Sequence, residues 1–338
     1  MKKLFLFILL LLGLQCFASQ HRKSPVIVAY VTSWSRAIPD PTLLTQINYA
    51  FGHVDSTFSK VEISNINRLK EIVKLKGTKA SLKVVLSIGG WKSGNFSEMV
   101  ADKGSRKSFV ADCRQKVKEL DLDGIDIDWE YPTSSVAGIS SSPADTENFT
   151  LLIKELRKAL GKKRVLSIAS IADGKFIDFA SIDKYIDYVN IMTYDIDNPP
   201  YHHAPLYRSV MVGHLSCEEA VKAHIAAGMS FEKLVLGIPF YGHATKEIPL
   251  RDYKDLILLK GYQRHWDNIA EVPYLTDSIG NFVCSYEDSV SIRSKCQFIK
   301  QNKLRGAMYW EYSGDDENGT LRKAVYQNIF INENHKKQ

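Results

Sequence analysis

The sequence predicts a (β/α)₈ barrel, eight parallel strands closed into a cylinder with helices outside, carrying a short insertion between strands seven and eight. Three observations predict it. Eight short β-branched runs recur along the 338 residues, most of them separated by segments whose apolar residues fall at helical spacing. The roughly 320 residues left after an apolar leader suit one large barrel and are too many for a small sandwich. The conspicuous polar and aromatic residues sit at the C-terminal ends of the runs, where barrels place their chemistry: Trp34, Phe51, Trp91, Glu130, Tyr194, Asp195, Tyr241 and Trp310.

The elements follow in chain order. Met1-Lys2-Lys3, an apolar run over 4–14 and the small residues of Cys16-Phe17-Ala18 form the pattern of a secretory signal peptide over 1–19, too short to span a bilayer. Export is therefore expected, to a periplasmic or extracellular destination. The alternative is a lipid anchor at Cys16, which Gln15 and Gly13 fit poorly. One catalytic barrel is expected over 24–332. Strands are expected over 26–34, 47–52 and 83–90, with a helix over 63–75 built on Ile66, Leu69, Ile72 and Val73. A helix over 108–120, striped by Phe109, Val110, Cys113, Val117 and Leu120, leads into a fourth strand over 122–132. The helix over 145–160 precedes a fifth strand over 164–172, and the sixth spans 188–195. A helix over 217–227 ends at Gly228, an ordinary C-terminal stop. The seventh strand spans 234–242, the eighth 306–312, and a last helix covers about 321–330. The gap between strands seven and eight is too long for a bare loop. Trp266 and the strand-like Phe282-Val283 mark an inserted structure over about 243–285.

The formal charge is +6, or +4 once Lys2 and Lys3 are set aside, and no basic run is interleaved with aromatics. Nucleic acid is not an expected partner. No later stretch is long and apolar enough to cross a membrane, and a monomer is expected. Four cysteines lie beyond the leader, so three pairings are open in an oxidising compartment. Cys284 and Cys296, the closest in sequence, are the expected disulfide. Cys113 and Cys217 fall in helical patterns and are expected to be buried thiols. No Cys-x-x-Cys or His-x-x-x-His spacing occurs, so neither a metal nor a cofactor is expected.

The fourth strand carries the chemistry. Ile125, Ile127 and Trp129 alternate with Asp126, Asp128 and Glu130, which puts three carboxylates on one face, neighbours about 6.6 Å apart. Each anion raises the proton affinity of the next, and burying one unpaired costs several kcal/mol, on the order of the penalty for any lone buried ion. A structural strand would use valines. This face is a candidate catalytic carboxylate ladder.

Asp123-x-x-Asp126-x-Asp128-x-Glu130 followed by Tyr131-Pro132 resembles the signature of glycoside hydrolase family 18, the chitinases and their relatives. The resemblance implies a retaining hydrolase for glycans containing N-acetylglucosamine, with Glu130 as general acid and base. Retaining glycosidases normally use a second carboxylate as nucleophile, but in this family the substrate's own 2-acetamido oxygen attacks the anomeric carbon. Asp128 would orient the acetamido N–H, with Asp126 behind it. Met192-Thr193-Tyr194-Asp195 matches the family's Met-x-Tyr-Asp, in which the tyrosine hydroxyl holds the acetamido carbonyl. Trp310 matches the aromatic floor beneath the sugar, and Tyr30 and Ser87 match positions that hydrogen-bond the innermost aspartate. Gly89 and Gly90 are expected to allow a tight turn beside the ligand. Trp34, Phe51, Trp91 and Tyr241 are candidates for the groove wall, and Met192 for apolar filling near the sugar. His243 departs from the pattern, since many chitinases carry arginine there.

The resemblance implies β-1,4-linked N-acetylglucosamine chains, as in chitin or its oligomers, as substrate. An endo-β-N-acetylglucosaminidase acting on N-linked glycans by the same mechanism is the alternative. A binding protein without turnover, a chitin-binding lectin, is a further one, but such proteins typically lose the acid and Glu130 is present. A small α+β subdomain occupies the gap before the last strand in several family members. The shorter insertion here is expected to leave a more open groove.

Overall fold

A computed structural model describes residues 24–246 and 251–331. The expected signal peptide, Cys16 included, lies outside the described residues. Strand β1 (Val26–Thr32) sends Ile27, Ala29 and Val31 into the main hydrophobic core and Val28 and Tyr30 into a second, smaller one. That division is the period-two geometry of a strand in a closed barrel, one face toward the helices and one toward the axis. The chain continues through β2 (Gln46–Val54), β3 (Val61–Ile63), α1 (Ile66–Lys74), β4 (Lys83–Gly89), α2 (Phe96–Ala101) and α3 (Lys103–Glu119). Then come β5 (Gly124–Asp128), α4 (Asp145–Leu160), β6 (Val165–Ile171), α5 (Phe179–Ile182), β7 (Tyr188–Met192), α6 (Cys217–Ala226) and β8 (Leu234–Pro239).

The insertion holds β9 (Tyr241–Ala244), β10 (Arg251–Asp252), α7 (Tyr253–Leu256), β11 (Gln263–Asp267), β12 (Val272–Thr276) and β13 (Phe282–Ser285). The barrel resumes with α8 (Ser289–Gln301), β14 (Gly306–Trp310) and α9 (Thr320–Phe330). Strands pair in the order β1-β14-β8-β7-β6-β5-β4-β2, and β1 pairs with β2 to close the cylinder. All pairings among these eight are parallel, while β3 is an antiparallel addition to β2. The (β/α)₈ expectation holds.

The insertion is a five-stranded antiparallel sheet in the order β10-β9-β13-β12-β11. It begins at Tyr241, so the seventh strand is shorter than expected. Pro239 cannot donate to a ladder, and the backbone of Phe240 turns to bond Trp310 before β9 starts. Helix α3 begins five residues before the expected 108, because Asp102 caps it by accepting from the Ser105 N–H at 2.7 Å. The expected Cys284–Cys296 disulfide is not formed. Cys284 on β13 and Cys296 on α8 are separate buried thiols, as are Cys113 and Cys217. Among the described residues no helix is long and apolar enough to cross a membrane.

Candidate active site

The expected carboxylate ladder is split by the end of its strand. β5 stops at Asp128, because its pairing with β4 ends where Gly89 faces Asp128, and Trp129 and Glu130 lie past the sheet. The alternation survives this break. Ile125, Ile127 and Trp129 are buried in the outer core, with Trp129 stacked on Phe96 of α2 (5.3 Å, 12°) and edge-on to Phe149 of α4. Their burial fixes the other three side chains toward the barrel axis and its mouth. Gly89 and Gly90 make room for the turn: both have positive φ, and Gly90 donates to the Asp128 carbonyl at 2.8 Å. A Cβ on Gly89 would lie 1.9 Å from the Asp128 carbonyl oxygen, and one on Gly90 would lie 2.6 Å from the Phe51 ring.

Asp126 is fully buried and saturated with donors. Tyr30 Oη donates at 2.8 Å and Ser87 Oγ at 2.9 Å to one carboxylate oxygen; Ser167 Oγ at 2.6 Å and Asn190 Nδ2 at 3.2 Å serve the other. Register explains the convergence, since Ser87, Asp126 and Ser167 are direct partners across β4, β5 and β6. Burial holds the proton affinity of Asp126 above the usual carboxylate value, and these donors offset only part of the rise. Asp128 rises further: burial, then the charges of Glu130 and Asp126, push it well above the usual carboxylate range, and among the described residues its Oδ1 has no hydrogen-bond partner. Burial lifts Glu130 to about 7, opposed by a hydrogen bond with Tyr131 and assisted by the charge of Asp195. Three carboxylates thus share one axis with proton affinities driven upward, and the outermost holds its proton near neutrality.

Glu130 lines a cleft of about 140 Å³ together with Tyr131, Met192, Tyr194, Asp195 and His214. Tyr194 and Asp195 were expected on the sixth strand, but β7 ends at Met192 and both follow it. The Tyr194 ring is buried, its hydroxyl 3.9 Å from Met308 Sδ, and burial pushes its proton affinity up. Asp195 accepts from Tyr241 Oη at 2.6 Å and sits 2.8 Å from His243 Nε2. Half of its side chain is open to the cleft, yet the surrounding protein desolvates it enough to raise its proton affinity, and His203 and His243 more than offset this, holding it well below the usual carboxylate range. Trp310 stacks on Phe51 (5.6 Å, 22°) and tilts against Tyr30, closing the mouth with aromatic faces. Beyond it a wider hollow of about 690 Å³ opens along Trp34 and Trp310. Trp34 and Trp91 are the exposed aromatics of the rim, at 68% and 53% exposure, and Trp91 stands edge-on to Tyr131.

The structure therefore brings Glu130, Met192, Tyr194 and Asp195 to one cleft. Tyr30 and Ser87 meet on Asp126, while Phe51, Gly90 and Trp310 pack beside the mouth, and Tyr241 reaches Asp195. Sequence reasoning missed Ser167 and Asn190, although each interrupts an apolar strand at an inward position. It also missed Tyr131 as a wall of the cleft, stacked on Phe176 (5.6 Å, 17°), and His203 beside Asp195. No periodicity marks His203, which lies on the irregular segment between β7 and α6.

Comparison with known proteins points the same way. The family model described as Glycosyl hydrolases family 18 matches residues 26–315. Chitinase A1 of Niallia circulans is 33% identical over 90% of this chain, and the match covers 50% of that protein, so the chain spans half its length. Probable chitinase 2 of Drosophila melanogaster is 31% identical, covering 88% of this chain and 73% of the relative. A solved family 18 N-acetylglucosaminidase from Paenibacillus barengoltzii superposes with a TM-score of 0.83 at 33% identity, covering 90% of this chain and 100% of that one.

Proposed function

The chain belongs to glycosyl hydrolase family 18 and is by family a glycosidase, and from that premise we propose that it cleaves β-1,4 bonds between N-acetylglucosamine units with help from the substrate's acetamido group. What carries the proposal is the line of Asp126, Asp128 and Glu130 running from a buried, fully bonded aspartate to a protonated acid in the cleft wall. Glu130 gives its proton to the leaving glycosidic oxygen as that bond breaks. The acetamido oxygen attacks the anomeric carbon, so no second enzymic nucleophile is required. Asp128, whose Oδ1 has no hydrogen-bond partner among the described residues, accepts the acetamido N–H, and once its proton has passed inward to Asp126 its carboxylate balances the positive ring that forms. Tyr194 holds the acetamido carbonyl, and the Trp310 face lies under the sugar ring. Glu130, now ionised, then takes a proton from water as the water opens the intermediate.

The test is Glu130→Gln. Turnover of chito-oligosaccharides should fall by about 10²- to 10⁴-fold while binding persists, because a positioned acid is worth that much. Equal turnover by variant and wild type, or equal binding with turnover by neither, would defeat the proposal. The first product should keep the β configuration by NMR; an α product excludes acetamido participation.

A second reading is an N-acetylglucosaminidase that cuts within N-linked glycans by the same chemistry. It draws support from the solved structure whose whole length this chain matches, itself an N-acetylglucosaminidase. Chito-oligosaccharides and a high-mannose glycoprotein assayed side by side separate the two, since release from the glycoprotein alone would favour the second. Export through the 1–19 leader belongs to the same proposal, supported by the charged start and apolar run of that segment. Fractionation of expressing cells checks it, and recovery of an uncut chain from the cytoplasm would refute it.

A further inference from the structure

Asp195, His203 and His243 come from three separate places: the end of β7, the segment before α6, and β9 of the inserted sheet. One donor atom from each lies within 4.8 Å of the other two. Asp195 Oδ1 is 2.8 Å from His243 Nε2 and 3.7 Å from His203 Nδ1. The longer of these is beyond hydrogen-bond length. A tetrahedral zinc ion with bonds of about 2.0–2.1 Å keeps its donors roughly 3.3–3.5 Å apart, a spacing these distances bracket.

His203 is the second, independent observation. It is fully buried, and among the described residues neither of its ring nitrogens has a hydrogen-bond partner. Orphaned buried polar atoms cost free energy, and native structures rarely keep them without a reason. Glycan chemistry supplies no reason, because the His203 ring lies flat against His243 (4.8 Å, 7°), inside the protein.

We propose that Asp195, His203 and His243 form a binding site for one divalent transition ion of the zinc class at the rim of the cleft. One carboxylate and two imidazoles suit Zn²⁺, Cu²⁺ or Ni²⁺, whereas Mg²⁺ and Ca²⁺ prefer all-oxygen sets. Asp195 is half open to solvent, which leaves outer positions for water or a sugar hydroxyl. Tyr241 Oη donates at 2.6 Å to that same Oδ1, occupying one of its lone pairs and orienting the carboxylate so that the other can face the ion. Loading exchanges the Asp195–His243 hydrogen bond for bonds to the ion and turns the two stacked rings out of parallel. With Asp195 engaged in the cleft wall, the ion inhibits glycan turnover. That consequence rests on the glycosidase proposal; the binding itself does not.

Calorimetry on the tag-free, chelator-stripped full chain with zinc chloride tests the site. One saturable event per chain is expected, weakened about tenfold or more by His203→Asn or His243→Asn. His214→Asn, in the same cleft but outside the trio, should leave it unchanged. Cobalt(II) in place of zinc should give the intense visible bands of a four-coordinate ion in wild type and lose them in His243→Gln. The latter variant keeps the test valid if His203→Asn fails to fold. Equal affinity in wild type and the trio variants means an adventitious ion only, and overturns the site, as does equal binding of Mg²⁺. Zinc that binds as expected but leaves wild-type turnover untouched overturns the inhibitory role. A chain inactive on every glycan would sink the glycosidase proposal and leave the calorimetric result standing.

Discussion

Glu130 shows how one residue trades stability for reactivity. Burial raises its proton affinity to about 7 from an ordinary value of 4.5, and Asp195 adds to the shift. In the proposed mechanism the acid must carry its proton to work, so kcat/KM should fall as pH rises through about 7. Replacing Asp195 with Asn removes one of the charges that raise Glu130. The basic limb of the pH profile should then move to lower pH, whatever happens to its height; an unmoved limb would assign it to another group. Stability follows with a definite sign. A group whose proton affinity is higher folded than unfolded contributes fully below its unfolded value and loses that contribution as pH rises through its folded value. Wild type should therefore lose stability between about pH 4.5 and 7 relative to Glu130→Gln, so the variant's Tm advantage should be larger at pH 8 than at pH 5. Thermal melts at the two values check this, and a gap independent of pH would show that Glu130 is not held protonated. The acids were legible from the sequence because three carboxylates at period two have no cheap structural use. Ser167, Asn190 and His203 were not, since a single polar residue in an apolar run or irregular segment carries no pattern.

The unit that makes this possible is the meeting of β4 with β5. Their backbones approach so closely at the barrel mouth that Gly89 has no room for a side chain, and the Asp128 carbonyl is tied to the Gly90 N–H at 2.8 Å. Gly89→Ala adds a Cβ that would fall 1.9 Å from the Asp128 carbonyl oxygen, at a φ of 129° that disfavours any L side chain. The strands must part to accept it. A loss of about 2–4 kcal/mol is expected, the range of strained-backbone and overpacking changes, read by urea unfolding. Turnover of the folded fraction should fall too, because Asp128 moves with its carbonyl; a variant as stable as wild type would mean the two strands slide apart freely. The strands themselves were legible from their β-branched runs, and their last residues were not. Trp34, Glu130, Asp195 and Tyr241 all lie beyond the strands expected to hold them, because apolar patterning continues into the mouth while the ladder of backbone bonds stops. The Cys284–Cys296 pairing failed for a related reason. Proximity in sequence says little when one thiol is on a strand of the insertion and the other on the following helix.

Across the whole molecule, the barrel, the inserted sheet and the segment carrying His203 must hold one alignment if the cleft is to keep its shape. A buried ion pair joins all three. Lys295 on α8 is fully buried, bonds Glu287 just after β13, and donates to the carbonyl of Ala204, the neighbour of His203, at 2.7 Å. The eight-strand architecture was legible at this scale from repetition alone, whereas the tie was not, because a lysine in an amphipathic helix reads as solvated. Removing one partner of such a pair leaves an unpaired buried charge and typically costs about 3–5 kcal/mol, while replacing both with apolar groups of similar size is often neutral. Lys295→Met should therefore destabilise strongly, and Lys295→Met combined with Glu287→Leu should recover most of the loss in urea titrations. The two variants separate stability from alignment. The double variant restores the melt but still lacks the donor to Ala204, so its kcat/KM should stay below wild type even when it is fully folded. Full recovery of both quantities would show that packing alone seats the segment, and that the buried charges serve only each other.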